Sequence, residues 1–196
     1  MIKVSLRPIV SKINLPTVLK TNILPGSSIE RLFIATQTGE VFYIGNGVIG
    51  TFLDIRPQII KLGASGRGYD ERGLIGLAFH PEFYYNGLFY LHYSVAGTQG
   101  PGALPGARTE SFKPNSCDPR TLNLKWINRE IQYDHIDTVE EWILQSNGQP
   151  QKRRTLLNLR RPFFNHNGVN SLNFSPETGK LVLTTGDGGS GYDPLI

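Results

Sequence analysis

Gly73-Leu74-Ile75-Gly76-Leu77-Ala78-Phe79-His80-Pro81-Glu82 aligns with Gly168-Val169-Asn170-Ser171-Leu172-Asn173-Phe174-Ser175-Pro176-Glu177, 95 residues later in the chain. Gly, Leu, Phe, Pro and Glu coincide in the two copies. Each copy is followed by another glycine, Gly87 or Gly179, and then by a second apolar run, at 88–93 or 181–184. The unit is an inner strand, a Pro-initiated turn and a return strand. Repetition of such hairpins is the signature of a β-propeller. The offset is long for a blade of about 40–50 residues. It contains a Gly/Pro-rich excursion at 96–130, which reads as an insertion between two strands of one unit, with its first half expected to be disordered. The competing fold is a β-sandwich in which the five matches are accidental.

The rest of the chain keeps the same texture. Apolar runs of about five residues, at 32–36, 40–44 and 49–53, are cut by Thr38-Gly39 and Asn46-Gly47, which reads as a β-meander. Residues 136–144 alternate partly, as a half-exposed strand should. No segment carries a 3.6-residue apolar stripe over three turns. The 196 residues include 22 Gly and 13 Pro, which argues against long helices. The class is therefore all-β, and the whole chain, 1–196, is expected to form one domain.

Composition narrows the function. A hydrophobic share of 39% and a charged share of 18% fit a folded globular chain. No apolar run is long enough for a membrane span. The net charge of +4 is spread along the chain. Its tightest cluster, Lys152-Arg153-Arg154, reads as a solvated turn, so nucleic acid is not an expected partner. Cys117 is the single cysteine, which excludes an internal disulfide and a multi-cysteine metal site. The first eight residues lack the apolar core of roughly 7–15 residues that a signal peptide carries, and the compartment stays open.

Chemistry concentrates around the second repeat. Asn165-His166-Asn167-Gly168 precedes its inner strand, and Gly186-Asp187-Gly188-Gly189 follows the return strand. A hairpin centred near Glu177-Thr178 brings His166 and Asp187 to one end, about one residue out of register. A carboxylate that holds one ring nitrogen of a histidine leaves the other free to take a proton. The repeat carries Glu71 onto the position of His166, so Glu71, Asn165, His166 and Asp187 are expected to converge on one rim. His80 and His92 read as structural, and His135 as uninformative. The histidines share no metal-ligand spacing.

Residues 71–83, 165–168 and 184–189 together resemble the soluble quinoprotein sugar dehydrogenases (glucose/sorbosone or aldose sugar dehydrogenases), in the family's order, with the likeness reaching over about 15–194. The resemblance implies a six-bladed propeller that binds pyrroloquinoline quinone (PQQ) with calcium and oxidises the C1 hydroxyl of an aldose to a lactone. It implies His166 as general base, Asp187 as the acid that orients it, and Asn165 and Glu71 near quinone and sugar. Here Val169-Asn170-Ser171 precede Leu172, one residue more than is common in the family.

Six blades need about 240–300 residues. The chain accommodates about two and a half, at 17–60, at 73–160 and from 168 onward. It is accordingly expected to be an N-terminal portion, truncated to two to three blades, without the later-blade ligands for PQQ and calcium. Alone it is expected to be inactive, marginally stable and aggregation-prone, completed by self-association or by a C-terminal half. The alternative is a non-catalytic binding module related to hedgehog-interacting protein, which has a similar propeller domain.

Overall fold

The computed structural model describes residues 3–62, 70–96, 135–161, 167–168 and 171–186. These residues form two four-stranded antiparallel sheets and one two-stranded sheet. The first sheet runs β1 (Pro16–Ile23), β2 (Glu30–Thr36), β3 (Glu40–Gly45) and β4 (Val48–Asp54). The second runs β5 (Leu74–Phe79), β6 (Leu88–Ala96), β7 (His135–Leu144) and β8 (Pro150–Arg161). The third pairs β9 (Leu172–Phe174) with β10 (Leu181–Leu183). In each sheet spatial order equals chain order; short antiparallel connections favour such pairing of neighbours, and β6 and β7 pair across the long segment 97–134. The protein is all-β and propeller-like.

The three sheets stack face to face, with the second in the middle. Between the first and second lies a core of Phe33, Val41, Phe52, Leu77, Phe89, Leu91 and their neighbours. Its rings interlock, with Phe33 and Phe79 centroids 4.7 Å apart and Phe52 edge-on to Phe89 at 5.1 Å. Each such pair adds about 0.5–1.5 kcal/mol to the area it buries. Between the second and third sheets lies a smaller core of Ala78, Tyr90, Val139 and Leu172.

The leading strands of the sheets gather together. Thr17 Oγ1 on β1 donates to the Leu74 carbonyl at 2.7 Å, and Lys20 Nζ on β1 reaches Asn173 Oδ1 on β9 at 2.6 Å. Ser171 N, at the start of β9, faces the Ile75 carbonyl at 3.4 Å. The repeat thus marks inner strands, β5 and β9, and its glycines have a conformational reason. Gly73 and Gly168 hold φ of 119° and 85°, and Gly87 and Gly179 hold 66° and 65°. Side chains other than glycine rarely tolerate these angles. Gly87 closes the single turn α1 (Phe83–Asn86) that forms the Pro-initiated corner.

Several expectations need correction. Strands β1 and β8 are not anticipated by the sequence pattern. Lys152-Arg153-Arg154 is not a turn but part of β8, where the three side chains meet carboxylates on β7. Lys152 pairs with Glu140, and Arg153 Nη1 and Arg154 Nε bond Glu141 Oε1 at 3.0 and 3.1 Å. Strand β7 is not half-exposed, since it is buried on both faces from His135 to Trp142. Its charged residues are buried because each is paired. Glu140 also accepts from Tyr93 OH at 2.8 Å and Trp142 Nε1 at 3.1 Å. The excursion does separate two paired strands, β6 and β7. Its first residue, Ala96, is the last of β6, and the rest of it, Cys117 included, lies outside the described residues.

The seam between the second and third sheets depends on Gly76. A Cβ there would stand 2.7 Å from Ser171 Oγ and 2.8 Å from His92 Cβ. Gly76→Ala should therefore lower stability by roughly 1–3 kcal/mol, read as a lower urea midpoint at unchanged slope.

Candidate functional site

The β9–β10 hairpin has the anticipated register, with Leu172 opposite Leu183 and Phe174 opposite Leu181. The pairing continues beyond the strands. Thr184 N donates to the Ser171 carbonyl at 2.9 Å, and Gly186 N donates to the Asn167 carbonyl at 3.1 Å. From the first of these bonds to the second, the Asn167 limb takes more residues than the Gly186 limb. Gly168, at positive φ, lies in that longer limb. His166 precedes Asn167 and Asp187 follows Gly186, but both lie outside the described residues, as does Asn165.

Glu71 is described, and the structure brings it to this end of the hairpin. Its Oε2 accepts the Asn167 N–H at 3.0 Å, across 96 residues of chain. The segment that carries it is held on both sides. Gln37 Nε2 donates to the carbonyls of Asp70 at 2.6 Å and Arg72 at 2.8 Å. Arg72 is fully buried and binds the Asp70 carboxylate through Nε and Nη2 at 2.9 and 2.7 Å. Such a forked charge-assisted pair fixes both orientation and distance.

A buried polar cluster lies on the same seam, and the sequence pattern does not announce it. Asp137 on β7 accepts from Ser94 Oγ at 2.7 Å and from Arg161 Nε at 2.7 Å. His135 Nε2 stands 3.3 Å from its carboxylate and His92 Nε2 3.8 Å. His92 Nδ1 meets Ser171 Oγ at 2.6 Å, and Arg161 Nη1 donates to the Gly186 carbonyl at 3.0 Å. Burial by itself pushes the Asp137 carboxyl up. The His135 and His92 rings reverse that and hold it well below the ordinary carboxylate range. The one sequence signal for the cluster is the polar period of two in His92-x-Ser94, within an otherwise apolar strand, matched by His135-x-Asp137 at the start of β7.

The described residues do not by themselves fit PQQ or calcium. A tricarboxylate needs free cations, and the guanidinium at this end, Arg161, is committed to Asp137 and Gly186. Among the described residues no group of three His, Cys, Asp or Glu is placed to hold a metal ion. An apolar cavity of about 420 Å³, bounded by 10–13, 16–19 and Ile34, is lined by none of the candidate residues. What the arrangement does provide is a rigid hydrogen-bonded frame at one end of the hairpin. No helix of the described residues is long and apolar enough to cross a membrane.

No family model matches the chain. Over 178 residues, 84% of the chain, it is 29% identical to the HIPL1 protein of Arabidopsis thaliana, and the match covers 25% of that protein. Over 74 residues, 36% of the chain, it is 41% identical to the Hedgehog-interacting protein of Homo sapiens, covering 10% of it. Among solved structures it is similar to the PQQ-bound form of aldose sugar dehydrogenase from Streptomyces coelicolor, with a TM-score of 0.53 and 15% identity over 94% of the chain and 41% of that one. It is also similar to a proposed oxidoreductase (glucose dehydrogenase) of Thermus thermophilus, with a TM-score of 0.51 and 18% identity over 87% of the chain and 40% of that one. The chain thus spans a quarter or less of these curated relatives and about two-fifths of these solved chains. The structural likeness is one of fold.

The depressed Asp137 carboxyl is a stability statement. Its folded value lies below its unfolded one, so its contribution is complete above the unfolded range, about pH 4, and fades as pH falls through the folded value. Asp137→Asn should cost about 3–5 kcal/mol at pH 7, because it leaves Arg161 buried without its counter-ion. The difference from wild type should narrow at pH 3, as urea unfolding at the two pH values would read.

Proposed function

We propose that the chain forms the opening blades of a six-bladed propeller of the soluble sugar dehydrogenase kind, and that it supplies the proton-handling side of the site. In this reading His166 takes the proton of the C1 hydroxyl of an aldose. Asp187 holds the other ring nitrogen, keeping the tautomer fixed and the imidazole basic. Glu71 and Asn165 lie beside them, toward sugar or cofactor. PQQ with calcium is implied for this chain by the resemblance alone; bound, it would supply the acceptor for a hydride from C1.

The observation that carries the reading is the bond between Gly186 N and the Asn167 carbonyl, with Glu71 closing on the Asn167 N–H. It ties together the immediate chain neighbours of Asp187 and His166, and places beside them the one repeat-related acid.

A second reading has its own support. The 41% identity to the Hedgehog-interacting protein, although over 74 residues, exceeds the identity to either solved dehydrogenase. A propeller face that binds a protein partner accounts for it without chemistry.

Aldose oxidation with PQQ and calcium, compared between the wild-type protein that carries this chain and His166→Ala, separates the two. The enzyme reading expects turnover in the wild type and a loss of about 10²–10⁴-fold in the variant. Turnover that His166→Ala leaves unchanged would overturn His166 as the base, and an inert wild type that captures a protein ligand equally well with and without His166 would favour the binding module.

A further inference from the structure

We propose that the cavity on the first sheet is a binding site for a small amphiphile, a single alkyl chain that ends in a carboxylate. None of the candidate catalytic residues lines it, and the inference is independent of the chemistry proposed for them. The cavity measures about 420 Å³, within the range of roughly 300–1,000 Å³ common for small-molecule pockets. Leu19 on β1 and Ile34 on β2 stand opposite each other in the strand pairing and form its wall on the sheet side. Val10 and Ile13, half-buried in the segment before β1, form the wall facing them. Ile34 is 5% exposed and Leu19 62%, so the cavity is closed over β2 and open at β1.

Apolar walls close on each other unless something holds them apart, and here the backbone does so. Lys12 and Leu15 hold φ of 67° and 48°, angles that residues other than glycine rarely adopt. After these bends the chain is pinned to the sheets. Gln37 N donates to the Leu15 carbonyl at 2.8 Å, Pro16 opens β1 with its ring-fixed φ, and Thr17 Oγ1 donates to the Leu74 carbonyl at 2.7 Å. The segment therefore arches over Ile34 instead of lying flat on it. Backbone in so sparsely used a region persists only where its surroundings over-determine it, and ligand clamps are among the places where it collects.

The polar groups decide the chemistry of the ligand. Ser11, Lys12 and Thr17 are the polar residues that line the cavity. Thr17 is committed to the carbonyls of Ala35 and Leu74. Among the described residues the side chains of Ser11 and Lys12 have no hydrogen-bond or ion-pair partner. No carboxylate of the described residues lines the cavity to repel an anion. An ammonium and a hydroxyl on adjacent residues, set against apolar walls, match one carboxylate head and one apolar tail. A wholly apolar ligand would leave that pair without a partner, and a flat protein surface does not enter beneath the arch.

Octanoate is the probe. Titrated into the chain by calorimetry, it should bind saturably at one site, and the NMR shifts it causes should fall on Val10, Ile13, Leu19 and Ile34. Each buried methylene tightens binding about fourfold, so hexanoate, two methylenes shorter, should bind about fifteen-fold more weakly. Lys12→Gln should weaken octanoate roughly threefold and leave octanol, which carries no charge, unchanged. Leu19→Trp fills the open side and should abolish binding of both. Lys12 and Leu19 are exposed, so each variant should keep the wild-type urea midpoint. No binding, uptake that does not saturate, or shifts that fall elsewhere overturns the proposal, and the first of these leaves the face to a protein surface. Octanol held as tightly as octanoate, with Lys12→Gln indistinguishable from wild type, overturns the carboxylate. Should Leu19→Trp fail to fold, the wild-type shift map decides the location.

Discussion

Strands β5–β7 of the middle sheet are covered on both faces, and the rest of the structure follows from that double burial. A sheet with one wet face alternates apolar and polar residues. A sheet with two dry faces cannot, and every polar group it carries must find a partner inside. One face of this sheet closes on the aromatic core shared with β1–β4. The other closes on the third sheet. The apolar run Leu74–Phe79 belongs to the strand with the least choice, since β5 touches β1 on one side and β9 on the other. Fully burying a side chain such as Leu77 or Phe89 contributes about 1.5–3 kcal/mol, so the stacking of the sheets is secured by the same residues that make β5 readable as a strand.

Polar groups enter this stack where a sheet face meets the ends of its neighbours. On the seam toward β9 the apolar residues Ala78, Tyr90, Val139 and Leu172 give way, one end further on, to His92, Ser94, Asp137 and His135. That end is also where the β9–β10 hairpin loses its ladder and where Glu71 arrives from the segment before β5. The molecule therefore separates its tasks along one seam, apolar contact in the middle and directed hydrogen bonds at the end that bears the candidate chemistry.

The fold is legible wherever apolar runs are bounded by glycine turns. Residues 74–79 read as the strand they form, and the hairpin register of the third sheet follows from a turn near Glu177 and Thr178. The repeat identifies inner strands because its glycines are required by backbone angle, and backbone angle does not vary with surface context. Strand β8 is unreadable for the opposite reason. Its residues 151–154 are polar and exposed, so the sequence carries no apolar period there, and its pairing depends on carboxylates of β7 that become visible only when the sheet is assembled. The same holds for His135 and Asp137. A histidine just before a strand is uninformative by itself, and only its approach to the buried Asp137 carboxylate, which Arg161 and Ser94 also bond, gives it meaning. Of the candidate site, Glu71 and its approach to the hairpin end come from the repeat alone, and Asn165, His166 and Asp187 rest on sequence.

Strand β8 has a further consequence for how the protein meets copies of itself. It is the outer edge of the middle sheet among the described residues, and an unpaired edge is a template for strands from other chains. Three properties work against that use. Pro150 opens the strand, and proline has no N–H to offer. Leu156 and Arg153 are extra residues on β8 relative to β7, which bends and twists the edge at two places. Lys152, Arg153 and Arg154 line up along the bent edge, so two such edges brought together would set like charges opposite one another, at a cost of about 1 kcal/mol per close pair in water. The cations that pair inward with Glu140 and Glu141 thereby also keep the edge they occupy from growing.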